Sequence, residues 1–286
     1  MTDQSLTELL QAAGQLKLRP DGSSYTSLFF FDERAIAAQV GKPLREVECA
    51  ALDLEIVPER YSRNRKYFSC EDQVRLLNSH VAVIGLGGLG GTVTEILARL
   101  GVGTLTLVDG DSFDESNLNR QILSSPAKLG QKKAVAAGER VAEINPAVTV
   151  REVAEFFTAA NGSTILTGVH LAADCLDTIG DRFLLEDMCG KAGIPMVSAA
   201  IGGTSGQAIA VFPGDPGLRR IYGAPEKAPA RGIEASLGTL PFGAIYMAAV
   251  ECAEITTILL GKPPELRNRL MLAEISEHTA EVINLP

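Results

Sequence analysis

Apolar and polar positions change period twice along this chain, and the changes divide it. Up to residue 59 the spacing is helical and broken: Ser5-Leu-Thr-Glu-Leu-Leu opens one short helix, Arg19-Pro-Asp-Gly-Ser-Ser interrupts it, and Asp32–Gln39 and Pro43–Ile56 form a helical pair around Gly41-Lys-Pro. From about residue 76, short apolar runs alternate with helical spacing. Val81–Ile84, Leu105–Val108, Val148–Val153, Val169–Ala173 and Pro195–Ala199 read as buried strands. Thr92–Leu100, the segment from Gln131 to Ile144, and Asp181–Lys191 read as crossover helices. Strands alternating with helices predict a parallel, doubly wound sheet.

The alternation then stops. Gly206–Phe212 reads as an antiparallel strand, residues 213–235 as a long crossover loop rich in Pro, Gly and charge, Leu240–Leu260 as a buried apolar helix, and Arg269–Ile275 and Ala280–Leu285 as terminal strands. The expected fold is therefore α/β, Rossmann-like and mostly parallel, with antiparallel C-terminal strands and a small N-terminal helical appendage. Residues 1–59 form that module and 60–286 the main domain.

The densest chemistry follows the first strand of the main domain. Gly85-Leu-Gly87-Gly88-Leu-Gly90 turns the chain into a helix, and Asp109 ends the next strand about 20 residues after the glycines, the arrangement of a nucleotide fold. Glycines admit phosphate close to the backbone, and the helix N-terminus offers free N–H groups. Asp111, Asn117, Arg120, Gln121 and Lys133 lie on the loop and helix start beyond, and Asp177 follows the fourth strand. Singly, Asp111 and Asn117 read as turn formers, Arg120 and Lys133 as solvated cations, and Asp177 as a helix cap. Jointly they suit a triphosphate: cations offset its charge, a strand-end carboxylate holds Mg²⁺, and Asp109 is left for the ribose.

Composition narrows the partners. A net charge of −9 argues against nonspecific binding to nucleic acid or anionic membrane. The helical pair in residues 1–59 lacks a basic face for DNA. No apolar run is expected to reach the length of a membrane span, and the N-terminus does not read as a signal peptide. Five scattered cysteines without any C-x-x-C pair are expected to be reduced thiols of a cytoplasmic protein, with no zinc. Against this acidic background Arg60-Tyr61-Ser62-Arg63-Asn-Arg65-Lys66 places four cations in seven residues.

These motifs resemble the ThiF/MoeB/HesA family, bacterial relatives of ubiquitin-activating enzymes. The residues that carry the likeness are Gly85-x-Gly-Gly-x-Gly90, Asp109-x-Asp111, Ser116-Asn117-Leu-x-Arg120-Gln121, Gly130-Gln131-x-Lys133, Ile144-Asn145-Pro146 and Asp174-Cys-x-Asp177, across roughly residues 58–275. The resemblance implies a homodimer that uses ATP and Mg²⁺ to adenylate the C-terminal glycine carboxylate of a ubiquitin-like sulfur carrier ending in Gly-Gly, of the ThiS or MoaD type. It makes Gly85, Gly87, Gly88 and Gly90 the nucleotide cradle and Asp109 the ribose ligand. Asn117, Arg120, Gln121 and Lys133 then face the phosphates, Asp177 positions Mg²⁺, and Arg63 reaches the partner subunit's nucleotide. Two departures stand out: Gly217-Leu-Arg219-Arg220 replaces the first zinc-binding pair of many relatives, and residues 213–235 contain no cysteine. Adenylation without an obligatory covalent enzyme intermediate is expected, with Cys175 and Cys189 as packed thiols. A peptide or tRNA substrate, a nicotinamide-dependent oxidoreductase and a non-catalytic binding module remain as alternatives.

Overall fold

The computed structural model describes residues 5–229, 232 and 234–285. Residues 230, 231 and 233 of the expected crossover loop, with 1–4 and 286, lie outside the described residues. In chain order the module holds α1 (Leu6–Ala13), β1 (Gln15–Leu18), β2 (Ser24–Leu28), α2 (Phe30–Val40), α3 (Leu44–Asp53) and β3 (Ile56–Pro58). The main domain follows with α4 (Cys70–Leu77), β4 (His80–Ile84), α5 (Gly88–Leu100), β5 (Thr104–Val108), α6 (Lys133–Ile144), β6 (Thr149–Val153), α7 (Gly162–Ile165), β7 (Leu171–Asp174) and α8 (Ile179–Ala192). It closes with β8 (Met196–Gly202), β9 (Ser205–Val211), α9 (Arg219–Tyr222), α10 (Glu234–Leu237), α11 (Pro241–Leu259), β10 (Arg269–Glu274) and β11 (Thr279–Asn284).

One eight-stranded sheet carries the main domain, in the order β11-β10-β9-β8-β7-β4-β5-β6. The five strands from β6 to β8 are mutually parallel, and β9, β10 and β11 add antiparallel. Along β4, Val81 and Val83 enter one core with α5, α6 and α11, while Ala82 and Ile84 enter a second core with α8. A central parallel strand is buried on both faces, so its sequence is uniformly apolar. The chain leaves β4 in one direction to β5 and later returns on its other side to β7, which opens a crevice at the carboxyl ends of both.

Three features differ from the sequence reading. The module contains the expected helices and also a sheet, β1-β2-β3. The supposed break at Arg19–Ser24 is the turn between β1 and β2, with Asp21 Oδ1 accepting from the Ser23 amide at 3.1 Å. Helix α5 begins at Gly88 rather than Thr92. The third concerns α11, which is long and apolar enough to cross a membrane by length and composition, correcting the expectation that no run reaches that length. Its Met247, Ala248, Cys252 and Ile255 are buried within the domain, and it packs on α5 and on the β7–β9 part of the sheet.

Candidate active site

The crevice is a cavity of about 1230 Å³ that touches the ends of β4, β5 and β7 and continues over β8–β11. Packing explains the glycines at its floor. Gly85 has φ +90°, and a β-carbon there would lie 2.7 Å from the Cys175 carbonyl oxygen. One on Gly90 would lie 1.8 Å from the Gly85 oxygen, so these two glycines let α5 start directly against the strand end. A β-carbon on Gly87 would meet only Gln121 Nε2, at 3.7 Å, and would project toward the cavity; on Gly88 it would press the Arg120 carbonyl at 3.1 Å. The N-cap of α5 is Gly87, with no side-chain cap, so the first-turn N–H groups remain available to an anion.

Asp109 fixes this loop. Its Oδ2 accepts from the Leu86 amide and its Oδ1 from the Asp111 amide, both at 2.8 Å. Burial pushes its carboxyl above the ordinary range, opposed by Lys133 and by the two amide donors. Lys133, the first residue of α6, is 7% exposed, so it is not a solvated cation. Its ammonium lies 3.1 Å from Asp111 Oδ2 and 3.9 Å from Asp109 Oδ2.

Across the cavity, Asn117 Oδ1 accepts from the Asp114 amide at 3.1 Å, so this residue both forms a turn and lines the wall. Arg120 donates to the Ser116 carbonyl at 2.9 Å and to Asn119 Oδ1 at 2.8 Å, holding its guanidinium along the rim. Gln121 is 5% exposed, and its buried Oε1 has no partner among the described residues. A buried orphan oxygen on a cavity wall is what a ligand donor or a cation would satisfy. Asp177 is exposed on the opposite wall, and its side chain makes no hydrogen bond or ion pair among the described residues. It is not the helix cap, because Thr178 Oγ1 accepts from the Asp181 amide at 3.2 Å instead. The structure thus gathers the expected site residues on one cavity, with two exceptions: Gly90 is buried beneath it against Gly85, and Arg63 is exposed and does not line it.

Sequence reading missed Arg182. This buried side chain donates to Asp174 Oδ2 and Ser198 Oγ at 3.1 Å, to the Ala199 carbonyl at 2.9 Å, and to the Leu176 carbonyl. It therefore anchors the turn that carries Asp177 to the middle of β8. An arginine in the first turns of a helix gives no signal in sequence that it will fold back beneath the preceding strand. The thiols are quiet. Cys175 Sγ lies 3.6 and 3.7 Å from the two Glu251 carboxylate oxygens, and burial, then Glu251, push it well above the ordinary thiol value. Burial also pushes Cys189 up.

Among the described residues, no three or more His, Cys, Asp or Glu side chains gather as a metal cage. Near Gly217, Asp215 and Arg267 instead form a two-point ion pair of 2.8 and 2.9 Å. Magnesium carried in by phosphates needs only one or two carboxylates, and the unpaired Asp177 meets that requirement.

Comparison with known proteins gives the family of the chain. The chain is 34% identical over 230 residues to the SAMP-activating enzyme E1 of Haloferax volcanii, covering 79% of this chain and 84% of that one. It is 33% identical over 218 residues to adenylyltransferase and sulfurtransferase MOCS3 of Sus scrofa, covering 74% of this chain and 48% of the relative, about half its length. Among solved structures, E. coli MccB with ATP shares the fold, with a TM-score of 0.63 at 20% identity, covering 88% of this chain and 82% of the other. Residues 61–286 match the ThiF family, and the chain belongs to it.

Proposed function

We propose that this member of the ThiF family adenylates the C-terminal glycine carboxylate of a small ubiquitin-like sulfur carrier, of the ThiS or MoaD type, in the cytoplasm. The observation that carries the proposal is a single cavity with two ends. One end holds the uncapped α5 N-terminus, Asp109, Lys133, Arg120 and the unpaired Asp177; the other runs over β8–β11, past Gly206, Gln207 and Leu272. ATP fits the first, and an extended chain terminus entering along the second would arrive at the α-phosphate.

The chemistry balances without an acid or base. A carboxylate oxygen of the carrier attacks the α-phosphorus, a C(O)O–P bond forms, the bond to the β-phosphate oxygen breaks, and pyrophosphate leaves with that electron pair. A carboxylate is already a nucleophile at neutral pH, so catalysis rests on alignment and on cations beside the developing charge. Arg120 and Lys133 flank the phosphates, the Asn117 and Gln121 amides bind their oxygens, and Asp109 holds the ribose. Mg²⁺, held by Asp177, would neutralise charge on the departing pyrophosphate.

A homodimer belongs to the same reading. Phe242, Ile245 and Tyr246 leave an apolar face on α11, each more than a third exposed. Arg63 is exposed, and its guanidinium is free of hydrogen bonds and ion pairs among the described residues, as a cation meant for a partner subunit's nucleotide would be.

Exchange between ATP and labelled pyrophosphate tests the proposal, run with ThiS-type and MoaD-type carriers from the same genome. Exchange dependent on one carrier supports the reaction and names the substrate. Absence of exchange with every Gly-Gly carrier overturns the carrier and leaves a peptide or tRNA acceptor. Tight NADH binding without exchange would move the chain to redox chemistry.

A further inference from the structure

We propose that Phe156 is the platform on which the purine base of the nucleotide stacks; this rests on the ATP reading above and adds a residue to it. Phe156 follows β6, lines the cavity and is 64% exposed, while its neighbour Phe157 is buried in the core at 7%. The ring is packed on one side, and its backbone is tied. It packs so closely on Gly110 that a β-carbon there would sit 2.7 Å from the ring, which accounts for the glycine between Asp109 and Asp111. Its backbone carbonyl accepts from Asn161 Nδ2 at 2.9 Å, and Asn161 Oδ1 accepts in turn from the Thr158 amide at 2.8 Å.

Among the described residues Phe156 joins no pair of aromatic rings and no cation packs on it. A large apolar ring is therefore left exposed in the cavity, packed on the residue next to the carboxylate assigned to the ribose. A purine leaving that ribose covers such a face, and stacking on an aromatic ring needs no hydrogen-bond code. The opposite arm of the cavity, over β8–β11, remains for the acyl substrate.

The chain contains no tryptophan, so Phe156→Trp introduces a unique fluorophore. Its emission is titrated with ATP, and calorimetry follows ATP binding to the wild type and to the Ala, Tyr and Trp variants. The expected results are a saturable change in Trp emission, an affinity loss of about tenfold in Phe156→Ala, and near-wild-type affinity in Phe156→Tyr. Wild-type ATP affinity in the Ala variant overturns the platform, as does an unmoved emission while calorimetry registers ATP on Phe156→Trp. If the wild type itself binds no ATP, the nucleotide reading falls first and the platform with it.

Discussion

A cation beside two carboxylates does different work at the cavity and at the junction of the module with the sheet domain. At the cavity, Lys133 lies between Asp109 and Asp111, and the Asp111 side chain is 55% exposed. At the junction of the module with the sheet domain, Arg60 lies 3.4 Å from Glu48 Oε1, whose side chain is fully buried, and is drawn toward Glu33, 1% exposed. The junction continues inward. Tyr61 Oη donates to Glu48 at 3.1 Å, Asn145 Nδ2 donates to Tyr61 Oη at 2.9 Å and to the Ala98 carbonyl at 3.1 Å, and Arg60 donates to Asn145 Oδ1 at 2.8 Å. The guanidinium also lies 5.0 Å from the centroid of the Phe30 ring. One cluster opens onto space for a ligand. The other spends its polar groups on the protein, joining the two motifs Arg60-Tyr61 and Ile144-Asn145-Pro146.

The sharpest way to break the comparison is to remove one charge or one bond from each side. On the cavity side, Arg120→Ala takes away the cation proposed to face the phosphates, whose partners are its own loop. Its ATP–pyrophosphate exchange rate should fall by about 10²–10³, as when a single preorganised donor to a developing charge is lost, with little change in thermal midpoint. A loss below tenfold would remove Arg120 from the phosphate site. Lys133→Ala should behave similarly in rate but also lower stability, because it leaves Asp109 and Asp111 facing each other.

On the junction side the signs reverse. Asn145→Ala strands the buried Ala147 amide, which donates to Asn145 Oδ1 at 3.2 Å, takes the donor from Tyr61 Oη and removes an acceptor of Arg60, so it should cost about 3 kcal/mol of folding free energy. The exchange rate per folded molecule should stay within a factor of about two, since nothing in the cavity is touched. Urea unfolding and exchange on the same preparation give both numbers. An unchanged urea midpoint, or a rate loss as large as that of Arg120→Ala, would erase the distinction between the clusters.

How far these roles were legible depends on how local they are. Strand, glycines, helix, strand and Asp109 occur consecutively, and one βαβ unit fixes their geometry, so the fold and the gathering of these residues at one end of the cavity could be read from spacing. The start of α5 could not, because glycine has poor helix propensity and only its fit at Gly90 against Gly85 overrides that. Strands β1 and β3, four and three residues long, are too short to show a period, and β3 pairs with β2 across two helices. Within the basic run, Arg65 donates to the nearby Phe68 carbonyl at 2.7 Å, whereas Arg60 belongs to the junction and Lys66 pairs with Asp21 through contacts distant in sequence, which separate these two from Arg63. Arg182 and Phe156 gave no signal for the same reason.

The subtlest test uses pH. Burial, then the neighbouring Glu48, pushes the Glu33 carboxyl up to about 8, and burial pushes Glu48 up to about 7 against the pull of Arg60. Each acid is raised above the ordinary value of 4.5 that it regains when unfolded, so the native state holds more protons between that value and the folded one. Stability from these groups is therefore complete below about pH 4.5 and drains away as pH rises toward about 8. The slope for one such proton is at most about 1.4 kcal/mol per pH unit. Glu33→Gln keeps the neutral shape and deletes the titration, so between pH 5 and 8 its urea midpoint should fall less steeply than that of the wild type. The two curves should converge at the acid end. Parallel curves across that range would mean that Glu33 is ionised in the native state, and the junction would then be an ordinary buried ion pair. The same variant should leave ATP–pyrophosphate exchange unchanged at every pH, because the protons that Glu33 holds belong to the seam and not to the cavity.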